Sequence, residues 1–168
     1  MERYLTLLRH AKSSWSDPTL DDFDRPLNAR GKRDAPEMGR RLAARCLRPD
    51  RVLTSPAKRA RKTARKVARE LGIGKKAIRK EPRLYMAETV DFRAVLAALD
   101  PACRDVLVVA HNPGITEFLN ELTGAGIDNV PTAGAARVRL HGTDWPEALD
   151  GPGELIWFDC PKCPAPGG

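Results

Sequence analysis

Two of the three histidines in this 168-residue chain close apolar runs: Tyr4-Leu5-Thr6-Leu7-Leu8 leads into Arg9-His10, and Val106-Leu107-Val108-Val109-Ala110 leads into His111. A strand that ends in Arg-His sets a fixed cation beside a titratable nucleophile at the rim of a sheet, where open α/β sheets bind ligands. Histidine attacks as a nucleophile when one ring nitrogen is free and the other donates to a backbone carbonyl, which settles the tautomer. Phosphoryl transfer asks for such an in-line nucleophile and for cations around three equatorial oxygens. Arg9 offers a planar fork that matches two of those oxygens, a geometry lysine does not reproduce. Arg59 adds a second fork, one turn into a helix whose N-terminus directs free N–H groups toward the same rim. Two guanidiniums beside His10 disfavour its protonated form, so the ring should be neutral and nucleophilic near pH 7.

The elements that must position these groups alternate between strand and helix. Residues 3–9 form a first strand, and 13–27 a loop rich in Ser, Asp and Pro. Asn28 is a suitable N-cap for a helix running through Met38, Leu42 and Leu47, with Pro36 in its first turns or at a kink. A short strand at 51–54 precedes a helix starting at Ser55 with Pro56 at its first position and ending at Gly72. Residues 78–84 read as extended, and Glu88 or Thr89 opens a helix stopped by Asp100-Pro101. The apolar strand 105–110 precedes a helix from Pro113 or Gly114 to about Leu122. Two late alternating segments, 135–140 and 154–159, read as edge or antiparallel strands. One α/β layer structure of residues 1–160 follows, with a Pro/Gly-rich, disordered tail at 161–168.

Three blocks, Leu8-Arg9-His10-Ala11, Ser55-Pro56-Ala57-Lys58-Arg59-Ala60 with Thr63, and Val109-Ala110-His111-Asn112-Pro113, carry a family resemblance. In order and approximate spacing they resemble the histidine phosphatase superfamily, most of all its small phosphohistidine phosphatase group typified by SixA. The resemblance spans about residues 3 to 141. It implies a three-layer α/β/α sandwich with a mainly parallel central sheet, as in phosphoglycerate mutases. It also implies a metal-independent phosphatase without a cofactor, working through a phosphohistidine intermediate on His10. Arg9, Arg59 and His111 take the phosphate-binding and catalytic positions. Ser16 stands where larger relatives place a phosphate-contacting asparagine, and a solvent-exposed loop serine is its plainer reading. Met86 stands where many relatives place a proton-donating acid. Glu88 is the nearest substitute, although a glutamate at a helix N-terminus is also favoured by the dipole. A weakly provided acid favours leaving groups that depart readily, such as imidazole or phosphate, over alkoxides.

Composition narrows the partners. The chain is 42% hydrophobic with no apolar run near the roughly 18 residues a membrane span needs. It shows no signal-peptide pattern, so a cytoplasmic location is expected. The formal charge is +7, with twelve Lys or Arg from Lys58 to Arg83 against Glu70 and Glu81 alone. A solvated helix face, steering of anionic substrates, and nucleic-acid binding all fit such a run. The last is disfavoured because no aromatic residue interrupts it. The expected partner is a phosphorylated protein; a small anionic phosphorylated metabolite is the alternative, and a non-catalytic phosphate or nucleic-acid binder the second. Lys12 and Arg25 are read as rim charges and His141 as a surface residue. The cysteines at 46, 103, 160 and 163 suggest no disulfide framework. Cys160-Pro161-Lys162-Cys163 has half a zinc site's spacing or a redox pair's, but lacks the other ligands, and chance or adventitious metal binding is the expected reading.

Overall fold

A computed structural model describes residues 1–164. Six strands form one sheet in the order β3-β2-β4-β1-β5-β6. They are β1 (Glu2–Arg9), β2 (Arg51–Thr54), β3 (Ile78–Lys80), β4 (Asp105–Ala110), β5 (Ala135–His141) and β6 (Glu154–Asp159). The first four run parallel, while β5 and β6 add an antiparallel edge. Helices α1 (Ala29–Ala44), α2 (Lys58–Glu70), α3 (Thr89–Ala97), α4 (Gly114–Thr123) and α5 (Trp145–Asp150) complete a three-layer α/β/α sandwich.

The apolar runs of β1 and β4 are continuous rather than alternating because both faces of these central strands are covered. Successive side chains of a strand point to opposite faces. Leu7, Val106 and Val108 therefore pack under α3, α4 and α5, while Leu8, Leu107 and Val109 pack under α1 and α2. Among the described residues no helix is long and apolar enough to cross a membrane.

Register places the chemistry. Arg9 pairs with Ala110 across β1 and β4, so His10 and His111 leave adjacent parallel strands at the same level. The His10 amide donates to the Ala110 carbonyl at 3.0 Å, and the Ser55 amide to that of Val109 at 2.9 Å. Three strand ends thus deliver His10, Ser55 and His111 to one rim. Asn28 caps α1 as expected, accepting from Gly31 N–H at 2.9 Å. Gly31 is needed there, since a Cβ would sit 2.1 Å from the Lys12 carbonyl oxygen. A Cβ on Gly114 would likewise meet the Ala87 carbonyl at 2.2 Å, so this glycine lets the 85–88 loop lie on the start of α4.

Several boundaries differ from expectation. Helix α2 begins at Lys58 rather than Ser55, because Ser55 turns back to accept from Ala57 N–H at 3.2 Å. Helix α1 stops at Ala44 and runs through Pro36. The extended stretch at 78–84 ends at Lys80 and gives way to a 3-10 turn, Pro82–Leu84.

The largest correction concerns the cysteines. Cys160 and Cys163 form a disulfide. The amide of Cys163 donates to the Cys160 carbonyl at 3.0 Å, and this turn brings the two Cα atoms to 5.0 Å, within disulfide range. Arg41 of α1 donates to the carbonyls of Cys160 and Cys163 at 2.8 and 3.0 Å and to the Asp159 carboxylate at 2.7 Å. The start of the Pro/Gly-rich tail is thus tied to α1 as far as Cys163, and residues 165–168 lie outside the described residues.

Candidate active site

His10 and His111 face one another with ring centroids 5.0 Å apart, and they are only 7% and 8% exposed. The Nδ1 of His10 donates to the Ala11 carbonyl at 2.7 Å. That bond puts the proton on Nδ1 and leaves Nε2 with its lone pair, the tautomer a nucleophile needs. Burial, with smaller contributions from His111, Arg59 and Arg9, pulls its pKa from 6.5 down to about 3. The direction matches the sequence argument, but removal from water outweighs the arginines. Burial and then Arg59 likewise lower His111 to about 4.

The Nε2 of His111 lies 2.7 Å from Ser55 Oγ. With the Ser55 hydroxyl donating to Nε2, the ring proton sits on Nδ1, a buried atom without a protein partner. Arg59 is 5% exposed, in the first turn of α2. Thr63, one turn on, donates to the Arg59 carbonyl at 2.8 Å and accepts from the Ala11 amide at 3.0 Å. It therefore fastens the helix carrying Arg59 to the segment carrying His10. Arg9 donates to the Val130 carbonyl at 3.0 Å. Six buried side-chain polar atoms lack a partner among the described residues, and three belong to this group: Nε of Arg9, Nε of Arg59 and Nδ1 of His111. Buried donors are seldom left unpaired, so their gathering here is what an anion-binding hollow requires.

Two predicted residues make no hydrogen bond to this group among the described residues. Ser16 is exposed and bonds Ser14 at 2.8 Å. Glu88 is exposed at the N-cap of α3, where its amide donates to the Asp91 carboxylate at 2.9 Å. Arg25 is not a rim charge. It is buried, bonds Ser13 Oγ at 2.6 Å, and stacks its guanidinium 3.5 Å from the Trp15 ring centre.

Asp22 and Tyr85 escaped the sequence reading. The Asp22 carboxylate accepts from Arg59 at 2.9 Å, from the Tyr85 hydroxyl at 2.6 Å and from Arg25 at 3.1 Å. Burial opposes its ionisation, but these donors win and hold the carboxyl below the usual range. The Tyr85 ring meets His111 edge-on at 5.6 Å and Phe23 at 5.2 Å. An acidic residue among several in a polar loop carried no signal that singled it out.

The buried imidazoles predict a pH dependence of stability. Their folded pKa values lie below the unfolded 6.5, so the unfolded chain takes up protons first on acidification. This contribution is complete above about pH 6.5 and declines as the pH falls toward 4. Urea midpoints should therefore drop between pH 7.5 and 4.5, with a shallower drop in a His10→Asn variant. Parallel profiles for the two proteins would contradict the burial argument.

Two imidazoles and two guanidiniums thus gather at the carboxyl ends of a mainly parallel sheet. The model of the histidine phosphatase superfamily (branch 1) matches residues 5–85. An uncharacterized chloroplastic protein of Arabidopsis thaliana is 32% identical over 163 residues, covering 91% of this chain and 74% of that protein. A SixA structure from Agrobacterium tumefaciens, whose phosphohistidine phosphatase assignment is provisional, is 30% identical with a TM-score of 0.81; the match covers 95% of this chain and 98% of that one. The protein histidine phosphatase SixA complexed with tungstate is 25% identical with a TM-score of 0.80, covering 94% and 97%. The chain belongs to the histidine phosphatase superfamily and is a hydrolase of the phosphatase class.

Proposed function

We propose that this chain removes the phosphoryl group from phosphohistidine carried on a protein, through a phospho-His10 intermediate. The observation that carries the macromolecular substrate is the mouth of the hollow. Of seven exposed large hydrophobic side chains among the described residues, four (Trp15, Leu20, Phe23 and Met86) lie on the two loops that supply Asp22 and Tyr85, and a fifth, Val90, lies in the first turn of α3 beside the second loop. Trp15 and Met86 are 73% and 77% exposed. Apolar side chains gathered in this way mark a surface that meets another protein.

In the proposed first step, Nε2 of His10 attacks phosphorus and forms an N–P bond. The substrate's P–N bond breaks, its electron pair returns to the substrate imidazole, and that nitrogen takes a proton from solvent water. Arg9, Arg59 and His111 donate to the equatorial oxygens as charge spreads over them. Water then attacks phosphorus, releasing orthophosphate and regenerating neutral His10. Glu88 is occupied in capping and Asp22 is held ionised. A leaving group that departs without a strong acid suits this provision better than an alkoxide.

A second reading, hydrolysis of a small anionic metabolite, is favoured by one observation. Lys58, Arg61, Lys62, Arg65, Lys66 and Arg69 form an outward ridge on α2, and none makes a salt bridge among the described residues. Such a ridge steers small anions and acidic proteins alike.

The test compares a phosphohistidine-bearing protein, free phosphohistidine and hexose phosphates, each with and without chelator, in the parent and in a Met86→Asn/Val90→Ser variant. Asparagine suits the positive φ of 54° at position 86. The proposal expects both phosphohistidine substrates to be hydrolysed faster than hexose phosphates. The variant should lose about tenfold in kcat/KM on the protein substrate alone. Faster hydrolysis of hexose phosphates, or a variant that treats both phosphohistidine substrates as the parent does, would favour the metabolite reading.

A further inference from the structure

Asp22 holds the position on Arg59 that a phosphoryl group would need. Both terminal nitrogens of the Arg59 guanidinium are engaged by this one residue: one donates to the Asp22 backbone carbonyl at 2.6 Å, the other to its carboxylate at 2.9 Å. Only Nε is left without a partner. The carboxylate is gripped from two further sides, by the Tyr85 hydroxyl on the same oxygen as Arg59 and by Arg25 on the other. Its backbone lies at the surface. Asp22–Asp24 is a single 3-10 turn that buries no residue and lies in the loop between β1 and α1. The Asp22 side chain itself is 47% exposed. An internal ligand on a solvent-exposed turn is one that an incoming ligand can reach and displace.

Resting on the reading of this hollow as a phosphoryl pocket, we propose that Asp22 is an internal competitor, an anion that an incoming phosphoryl group must displace from Arg59 and that sets the affinity a ligand needs to occupy the site. Displacement exchanges one anion for another on the same fork. A singly charged group gains no charge by that exchange and must still break the bonds that Tyr85 and Arg25 make to the turn. A dianion gains a second unit of charge opposite Arg9 and Arg59, and both of its oxygens fit the fork. The shared cost of displacement leaves a terminal phosphoryl group, that of phosphohistidine among them, with net affinity and a phosphodiester or carboxylate with little.

Binding without turnover tests this. Orthophosphate and dimethyl phosphate are titrated calorimetrically at pH 8 into the parent protein, Asp22→Asn and Tyr85→Phe. The parent should bind orthophosphate and give little signal with dimethyl phosphate. In Asp22→Asn, which keeps the side-chain shape and removes the charge, orthophosphate should bind about fivefold tighter, the worth of a half-exposed ion pair. Dimethyl phosphate should gain by about the same factor and become measurable, because displacement costs both ligands alike. Tyr85→Phe keeps the charge but removes one anchor; it should shift both affinities the same way by less, and it carries the test if the first variant fails to fold. In turnover, the gain should appear as a lower KM rather than a higher kcat.

Weaker orthophosphate binding in Asp22→Asn would mean that Asp22 props Arg59 in place, and would overturn the proposal. Unchanged affinity for both ligands would overturn it as well, while leaving the phosphoryl pocket intact. Failure of the parent to bind orthophosphate would remove the pocket and this inference together.

Discussion

Replacing His10 with alanine should lower kcat by at least about 10⁴-fold while the chain stays folded. In the proposed reaction no other group can accept the phosphoryl. His111 lies 5.0 Å away between ring centres, but its Nε2 is committed to Ser55 at 2.7 Å. Removing the imidazole therefore removes the covalent route, whereas Arg9 and Arg59 still bind an oxyanion. The measurement has two parts. Rapid quench of the parent with radiolabelled substrate should trap phosphate on the protein in an acid-labile, base-stable form, and the variant should trap none. Phosphate retained on His10→Ala would place the nucleophile elsewhere.

Arg59 should produce the second largest effect. Arg59→Ala should cost about 10³-fold or more in kcat/KM, comparable to removal of an arginine that meets a transferring phosphoryl group. Arg59→Lys should recover only part of that, because an ammonium supplies charge without the two-pronged geometry. A further consequence separates this role from a structural one. Arg59 is among the cations that hold His10 and His111 in their neutral forms, so its removal should raise both pKa values. An NMR titration of the imidazole protons should show upward shifts in Arg59→Ala. Full activity in Arg59→Lys, or imidazole shifts indistinguishable from the parent, would contradict the assigned geometry.

The fold was largely legible because its signals are local. The apolar runs before His10 and His111 mark buried strands, and Asn28 marks the start of α1. Where nearby side chains redirect the backbone, the reading slipped. Ser55 draws its bond from Ala57 and moves the start of α2 to Lys58. The Cys160–Cys163 pair was judged by the zinc ligands it lacked rather than by the tight turn that closes it. Arg25 looked like one more surface cation. It is buried because Ser13, Asp22 and the Trp15 face surround it, and none of these carries a signal in a loop of polar residues.

Residue order alone determined which side chains end the central strands, since a strand's direction and the type of its last residue are local properties. It thereby identified His10, Arg9 and His111 as groups at the sheet rim and Arg59 as a group at a helix start. Tertiary structure decided what these groups meet. The β1–β4 register set the two imidazoles side by side, Thr63 tied α2 to the His10 segment, and Asp22 reached Arg59 across 37 residues of chain. Contacts over such separations depend on how the layers pack, because polar loop residues have no periodicity that encodes a distant partner.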